Sequence, residues 1–463
     1  MPSQSRKARA RWVASSFERA AALAPFPAGS SMNEAATNPA CPVEYRRRGS
    51  KALLWLAVFA YVPFLIAHGV ECWTQPAVDF PPLYSATKVV FDQHLSPYRE
   101  HAFDEQALAL GRPVPPYIYP PPSLLLFFPL HFVDYDTAKA LMLVVNHLCL
   151  LGAIAFLFGR LFREEFLHAS SQLTAALVII YVLLFDPAVV TLHLGQVNFL
   201  LLICLAFMWH ALKRNGRPLA IAIPLTLAIV IKTYPALLVL PLLLRKRYRA
   251  AGWTIGLFIV ACAASYFLLP HAIWNDWIVN VLPTGAGVHP GPWNQNIRAF
   301  VGRAFMPNDF NQPLVAAPAV VKPLINLLSF GVVATTLWAS VRCWRMPHSP
   351  RQIDILMSLY LFMIFLIAPV SWEHHFVYLL PSLVLVLLLL LEGTVHGQWR
   401  WITAFSLCLI AWKLPFQLPA LTSGIWTLLI SIKFYPAVAL WMFFVVQARR
   451  LSGVTREQAA ART

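Results

Sequence analysis

Twelve apolar runs recur between Ala52 and Val446, and basic tracts punctuate them. A run of about 20 apolar residues is long enough to cross a bilayer core. No water is available there, so each backbone group must be satisfied within its own segment and the run becomes a helix. The runs are Ala52–Val70, Thr137–Leu161, Leu173–Val190, Val197–Leu212, Pro218–Ile231, Pro235–Leu244, Ala251–Pro270, Ala319–Ser340, Ile355–Val370, Phe376–Leu391, Ile402–Leu418 and Ile425–Val446. The basic tracts Lys213–Arg217, Arg245–Arg249, Arg342–Arg351, Arg400 and Arg449–Arg450 fall on one side if Pro218–Leu244 makes two short spans turning at Lys232-Thr233-Tyr234. One long helix there would put Arg245–Arg249 outside, against the positive-inside rule. The sequence therefore predicts an all-α polytopic membrane protein with about 12 transmembrane helices and both termini cytoplasmic. Composition agrees, since only 12% of residues are charged where soluble domains carry about 25%. The net charge of +16 follows from the tracts and calls for no nucleic acid. The seven cysteines are an odd number, lie mostly in apolar runs and form no disulfide pattern.

Three regions follow. Residues 1–50 are polar and basic and read as a disordered cytoplasmic tail, with Met32 an alternative start. Residues 51–448 form the membrane domain, and residues 449–463 a cytoplasmic C-terminal tail. Two outer loops, 71–136 and 271–318, are too long for simple turns. The first is rich in acids (Glu71, Asp79, Asp92, Glu100, Asp104, Glu105) and holds Pro120–Phe132, an apolar stretch too short to cross and read as an interfacial helix. The polar residues gather on the outer side, and no inverted repeat of the transporter kind is visible.

Several polar residues invite a chemical role. Asp79 is either a solvated surface acid or a general base sheltered by the loop that follows it. Glu71 is the alternative base or an interfacial cap. Tyr117 and Tyr119 belong to an interface belt or line a groove where a lipid chain meets a polar head. Gln196 and Asn198 sit in a tight outer turn; Asn198 reads as a helix cap, and both are candidates for holding the donor phosphate or sugar. Lys232 is a lone cation in a very apolar segment; it snorkels to the outer interface or meets an anionic phosphate there. In the second loop, Asn294 and Gln295 suit sugar hydroxyls and Arg298 suits phosphate, or the three form a polar loop tip. His374 and His375 are adjacent and so point apart: one can face a cavity while the other packs. Asp134-Tyr135-Asp136 reads as a turn, and no zinc-ligand spacing or Gly-rich phosphate loop occurs.

Taken in order, Val78-Asp79-Phe80, Tyr119-Pro120-Pro121, Leu194-Gly195-Gln196-Val197-Asn198, Ile231-Lys232-Thr233-Tyr234-Pro235, Asn294-Gln295-Asn296 and Ser371-Trp372-Glu373-His374-His375 resemble glycosyltransferase family 87, the polyprenol-phosphate-mannose-type membrane transferases. The resemblance spans about residues 52–446; a third proline at Pro122 and mild variation at Thr233-Tyr234-Pro235 and Asn296 are its departures. It implies a GT-C membrane fold and a polyprenyl-phosphate sugar as donor. The active site then lies beneath the first outer loop, on the periplasmic face of a bacterial inner membrane. By the same match, Asp79 falls on the family's catalytic acid and the histidine pair lies near donor or acceptor.

The two readings together predict an inverting transfer of a sugar, mannose by the resemblance, to a hydroxyl on a lipid or glycan acceptor. Asp79 is the expected base, with Lys232, Arg298 and one histidine holding phosphate charge. No cofactor is required, and Mg²⁺ on the donor phosphate stays open. The competing expectation is a transporter or lipid flippase, which explains many spans but not a long acidic first loop.

Overall fold

A computed structural model describes residues 42–460 apart from 75–76, 169–170, 345–347 and 415–417. The expected N-terminal tail lies outside the described residues up to residue 41, and from Pro42 the chain is helical. The described residues form helices and turns, with one isolated bridge between Asn294 and Trp372.

Each apolar run of the sequence carries helix, but the helices differ in length. Among the described residues, six are long and apolar enough to cross a membrane: Lys51–Thr74, Tyr135–Leu161, Tyr248–Leu268, Pro318–Val341, Pro350–Ile367 and Glu373–Leu391. The count is eight if two bent pairs each form one span: Gln172–Leu183 with Asp186–Leu194, bent by 49°, and Gly424–Ser431 with Phe434–Leu451, bent by 53°. Asn198–Lys213, Pro218–Ile231 and Tyr234–Leu244 are apolar but shorter. By length and composition, six to eight helices among the described residues are candidate spans.

Burial sorts the spans. Pro350–Ile367 and Glu373–Leu391 are 83% buried and form the centre, whereas Lys51–Thr74 is 17% buried and turns Trp55, Phe59 and Ile66 outward. Apolar side chains exposed on a span suit contact with lipid tails rather than water.

The basic tracts converge at one end of the bundle. Arg245 donates to Gln352 and reaches His348, Arg247 reaches Asn215, and Arg351 pairs with Glu392 at 3.0 Å. The helices Asn198–Lys213 and Pro218–Ile231 run from that end, covering about 24 and 21 Å at 1.5 Å per residue. Their far ends carry Asn198 and lead into Lys232.

At this far end the first long loop builds a second, smaller core. Phe80, Leu83, Tyr84, Tyr98, Tyr117, Tyr119, Leu124 and Phe127 pack with Val197 and Ile231. The stretch read as interfacial is a short helix, Pro122–Phe127, continuing as a 3-10 turn to Phe132. Asp134 caps the next helix by accepting from the Thr137 N–H at 2.9 Å, so the Asp-Tyr-Asp turn is structural. Arg99 joins this loop to the second through Asp276 at 2.8 Å.

Candidate active site

The site begins with a glycine. The helix Asp186–Leu194 ends at Gly195, whose φ of +67° lies in the left-handed region that favours glycine. A Cβ there would also stand 2.7 Å from the Phe80 Cβ. Without that obstacle, the Leu194 carbonyl accepts from the Asp79 N–H at 3.0 Å. Gln196 then donates from Nε2 to the Asp79 Oδ2 at 2.8 Å. Its Oε1 accepts from the Tyr119 hydroxyl at 3.1 Å, which fixes which end of the amide faces the carboxylate. Tyr98 in turn donates to the Tyr119 carbonyl at 2.6 Å, and Tyr117 shares a hydrogen bond with Ser123. Tyr117 and Tyr119 are buried in the loop core, so neither forms an interface belt. Burial raises the Asp79 carboxyl above its ordinary range, and the Gln196 bond and the Lys232 charge partly offset this. A carboxylate so placed is a stronger base than a solvated one.

Lys232 approaches from the opposite wall. The helix before it stops at Ile231, and Lys232 is extended (φ −145°, ψ 133°). Its ammonium donates to Asn198 Oδ1 at 2.8 Å and contacts His375 Nε2 at 2.9 Å. Both partners are uncharged acceptors. Burial pushes the ammonium down to about 7, with Asp79 pulling the other way. Asn198 does not cap its helix, because Val197 holds the cap position. Its side chain instead ties Lys232 to the His374 carbonyl, to which Nδ2 donates at 3.2 Å. The histidine rings stand 89° apart, as expected for neighbours pointing in different directions. His374 Nε2 is buried without a hydrogen-bond partner among the described residues.

The second loop plays a different part. Asn294 and Gln295 are fully buried. Asn294 donates to the His289 carbonyl and accepts from the Ser371 N–H at 2.8 Å. Gln295 donates to the Pro292 and Ile430 carbonyls and accepts from the Phe434 N–H at 3.0 Å. The Asn294 amide thus clasps the backbone that leads to the histidines, and the Gln295 amide clasps the backbone on either side of Lys433. Arg298 lies on the helix Ile297–Phe305 and reaches the Gly287 carbonyl at 3.4 Å. The structure thus joins Asp79, Gln196 and Tyr119 in one chain and Lys232, Asn198 and His375 in another.

Two groups escaped the sequence reading. Lys433 is buried between Glu373 and Asp186, pairing with the first and lying 3.8 Å from the second. Its sequence signal is repetition: Ile432-Lys433-Phe434-Tyr435-Pro436 echoes Ile231-Lys232-Thr233-Tyr234-Pro235. The other group is His68, Glu71 and His193, whose donor atoms lie within 4.8 Å of one another. His68 and Glu71 are three residues apart on the first span, but His193 is distant in sequence, so spacing alone did not reveal it.

Comparison with known proteins finds one matching family and several relatives. The model of glycosyltransferase family 87 matches residues 117–369. That range holds Tyr117, Tyr119, Gln196, Asn198, Lys232, Asn294, Gln295 and Arg298, while Asp79 precedes it and the histidine pair follows it. The polyprenol-phosphate-mannose-dependent alpha-(1-2)-phosphatidylinositol pentamannoside mannosyltransferase of Mycobacterium tuberculosis is 25% identical over 318 residues, 66% of this chain and 67% of that protein. The polyprenol-phosphate-mannose-dependent alpha-(1-2)-phosphatidylinositol mannoside mannosyltransferase of Mycolicibacterium smegmatis is 27% identical over 331 residues, 67% of this chain and 71% of that protein. No solved structure matches.

Proposed function

The chain belongs to glycosyltransferase family 87, and from that premise we propose that it moves mannose from a polyprenyl phosphate to a hydroxyl of a lipid or glycan acceptor. The reaction takes place on the periplasmic face of a bacterial inner membrane and inverts the anomeric centre. The relatives named for polyprenol-phosphate-mannose support the donor. The observation that carries the chemistry is the half-buried Asp79 carboxylate, held by Gln196 and within the field of the Lys232 ammonium.

Asp79 removes the acceptor hydroxyl proton as that oxygen bonds to the anomeric carbon. The bond from that carbon to the phosphate oxygen breaks, and polyprenyl phosphate leaves with the electron pair. Lys232 and His375 stabilise the departing charge. The Tyr119–Gln196 pair aims the base, which preserves the alignment that in-line attack needs. One base and direct displacement give inversion. The phosphate charge goes to Lys232 and a histidine. We also propose a GT-C arrangement of twelve spans, in which the short helices complete the count of the longer ones. Family membership disfavours the transporter reading.

Purified protein in detergent, given radiolabelled polyprenyl-phosphate mannose and a membrane-lipid extract, tests this. Label should pass to a new product with wild type and stay on the donor with Asp79→Asn. Equal turnover by both would remove Asp79 from the mechanism. Label retained by wild type, with a pentose-linked donor failing too, would overturn the transferase assignment.

A further inference from the structure

We propose that His68, Glu71 and His193 form a binding site for a divalent transition metal of the zinc type, which staples the first span to the turn that orients the catalytic base. The Glu71 carboxylate lies between the two imidazoles, with Oε2 3.3 Å from His68 Nδ1 and 3.1 Å from His193 Nε2. One ligand atom from each residue falls within 4.8 Å of the others. Two imidazoles and one carboxylate are a donor set that zinc favours with an open fourth position, whereas Mg²⁺ favours oxygen donors. The ligand nitrogens His68 Nδ1 and His193 Nε2 are buried and Glu71 is 46% exposed, so an ion would enter past the carboxylate.

A second observation points to the same place. His147 stands within electrostatic range of His68 on the neighbouring span Tyr135–Leu161. Both of its ring nitrogens are buried without a hydrogen-bond partner among the described residues. A polar ring at membrane depth needs such a partner, and a water on the metal would supply one.

The consequence for catalysis is positional. His193 precedes Leu194, whose carbonyl holds the Asp79 N–H, and Gly195-Gln196, which orients the Asp79 carboxylate. The metal would tie that turn to the outer end of the first span. This last step rests on Asp79 being the base; the metal site itself does not.

The full-length protein in detergent is stripped with a chelator, loaded with Zn²⁺ and desalted, and its metal is measured by mass spectrometry. Melting temperature is recorded with and without Zn²⁺. Wild type should retain one zinc per chain and melt higher when loaded. Glu71→Gln and His193→Ala should retain background zinc and show no upward shift. If a variant fails to fold, loading wild type with Co²⁺ replaces it, and the visible bands of a tetrahedral site are the expected result. Background zinc in wild type, equal zinc in wild type and variants, retention of Mg²⁺ in preference to Zn²⁺, or a Co²⁺ spectrum identical to that of the free ion would each overturn the proposal. Mannosyl transfer enters none of these readouts, so the metal site and the transferase assignment can fail separately.

Discussion

The pentapeptides Ile231-Lys232-Thr233-Tyr234-Pro235 and Ile432-Lys433-Phe434-Tyr435-Pro436 share four residues, and each puts its lysine where a helix breaks. Their surroundings are opposite. Lys433 is fully buried against Glu373 and Asp186, so its charge is neutralised within the protein. Lys232 has an amide and an imidazole as its direct partners, and the nearby Asp79 makes no ion pair with it. A buried cation matched by acids is a structural joint. A half-buried cation held by neutral acceptors keeps its field for an anion that arrives, and the proposed transfer would bring a phosphate.

The comparison can be broken by mutation, and the acids should separate most widely. Asp79→Asn should cut turnover by about 10²–10⁴, the usual worth of a general base, while the thermal transition stays in place because no cation is left uncompensated. Lys433→Met should do the reverse. It leaves Glu373 and Asp186 without their cation, and removing one partner of a buried pair costs about 3–5 kcal/mol. The triple change Lys433→Met, Glu373→Gln and Asp186→Asn should recover most of that stability in a thermal melt. No recovery would mean that Lys433 holds the fold through something other than charge.

Lys232→Met should leave the melt near wild type and slow transfer by about 10²–10³, as when one charge-stabilising donor is removed. Its KM should rise for the donor more than for the acceptor. Equal rises would class Lys232 with Lys433 as a structural lysine.

The pH profile sharpens the same contrast. Transfer needs Asp79 ionised and Lys232 protonated. As pH rises through the elevated Asp79 value, kcat/KM should climb; as it passes about 7, where free Lys232 loses its proton, kcat/KM should fall. Bound phosphate favours the ammonium, so kcat should persist to higher pH than kcat/KM. Lys232→Arg, always charged, should lose the alkaline limb if it folds. The smallest effect is expected at Gln196→Leu. Losing a hydrogen bond to a charged group costs about 1.5 kcal/mol, roughly tenfold in rate. The acid limb should also move to higher pH, since that bond lowers the Asp79 value.

Much of the site was legible before any fold was known. Asp79 and Lys232 stood out as ionisable groups beside apolar runs, and the histidine pair as neighbours that must diverge. Asn198 was misjudged, because a residue at a helix start looks like a cap until its side chain is seen bridging Lys232 and the His374 carbonyl. Asn294 and Gln295 look like sugar ligands in a loop, yet backbone groups brought from Ser371, Ile430 and Phe434 consume them. The span count was not legible for a related reason. Hydropathy marks where a chain is apolar, but the bends near Asp186 and Lys433 and the short helices from Asn198 to Leu244 decide how many runs are long enough to cross.

The sequence by itself determined an all-helical membrane protein, because apolar runs of that length leave the backbone no other way to satisfy its polar groups in lipid. Its basic tracts also marked the end of the bundle where they would meet. Only the tertiary structure decided which lysine is neutralised and which stays available, and which histidines meet Glu71. Those outcomes depend on residues far apart along the chain. Charge pairing is governed by distance and burial, and neither is carried by local sequence.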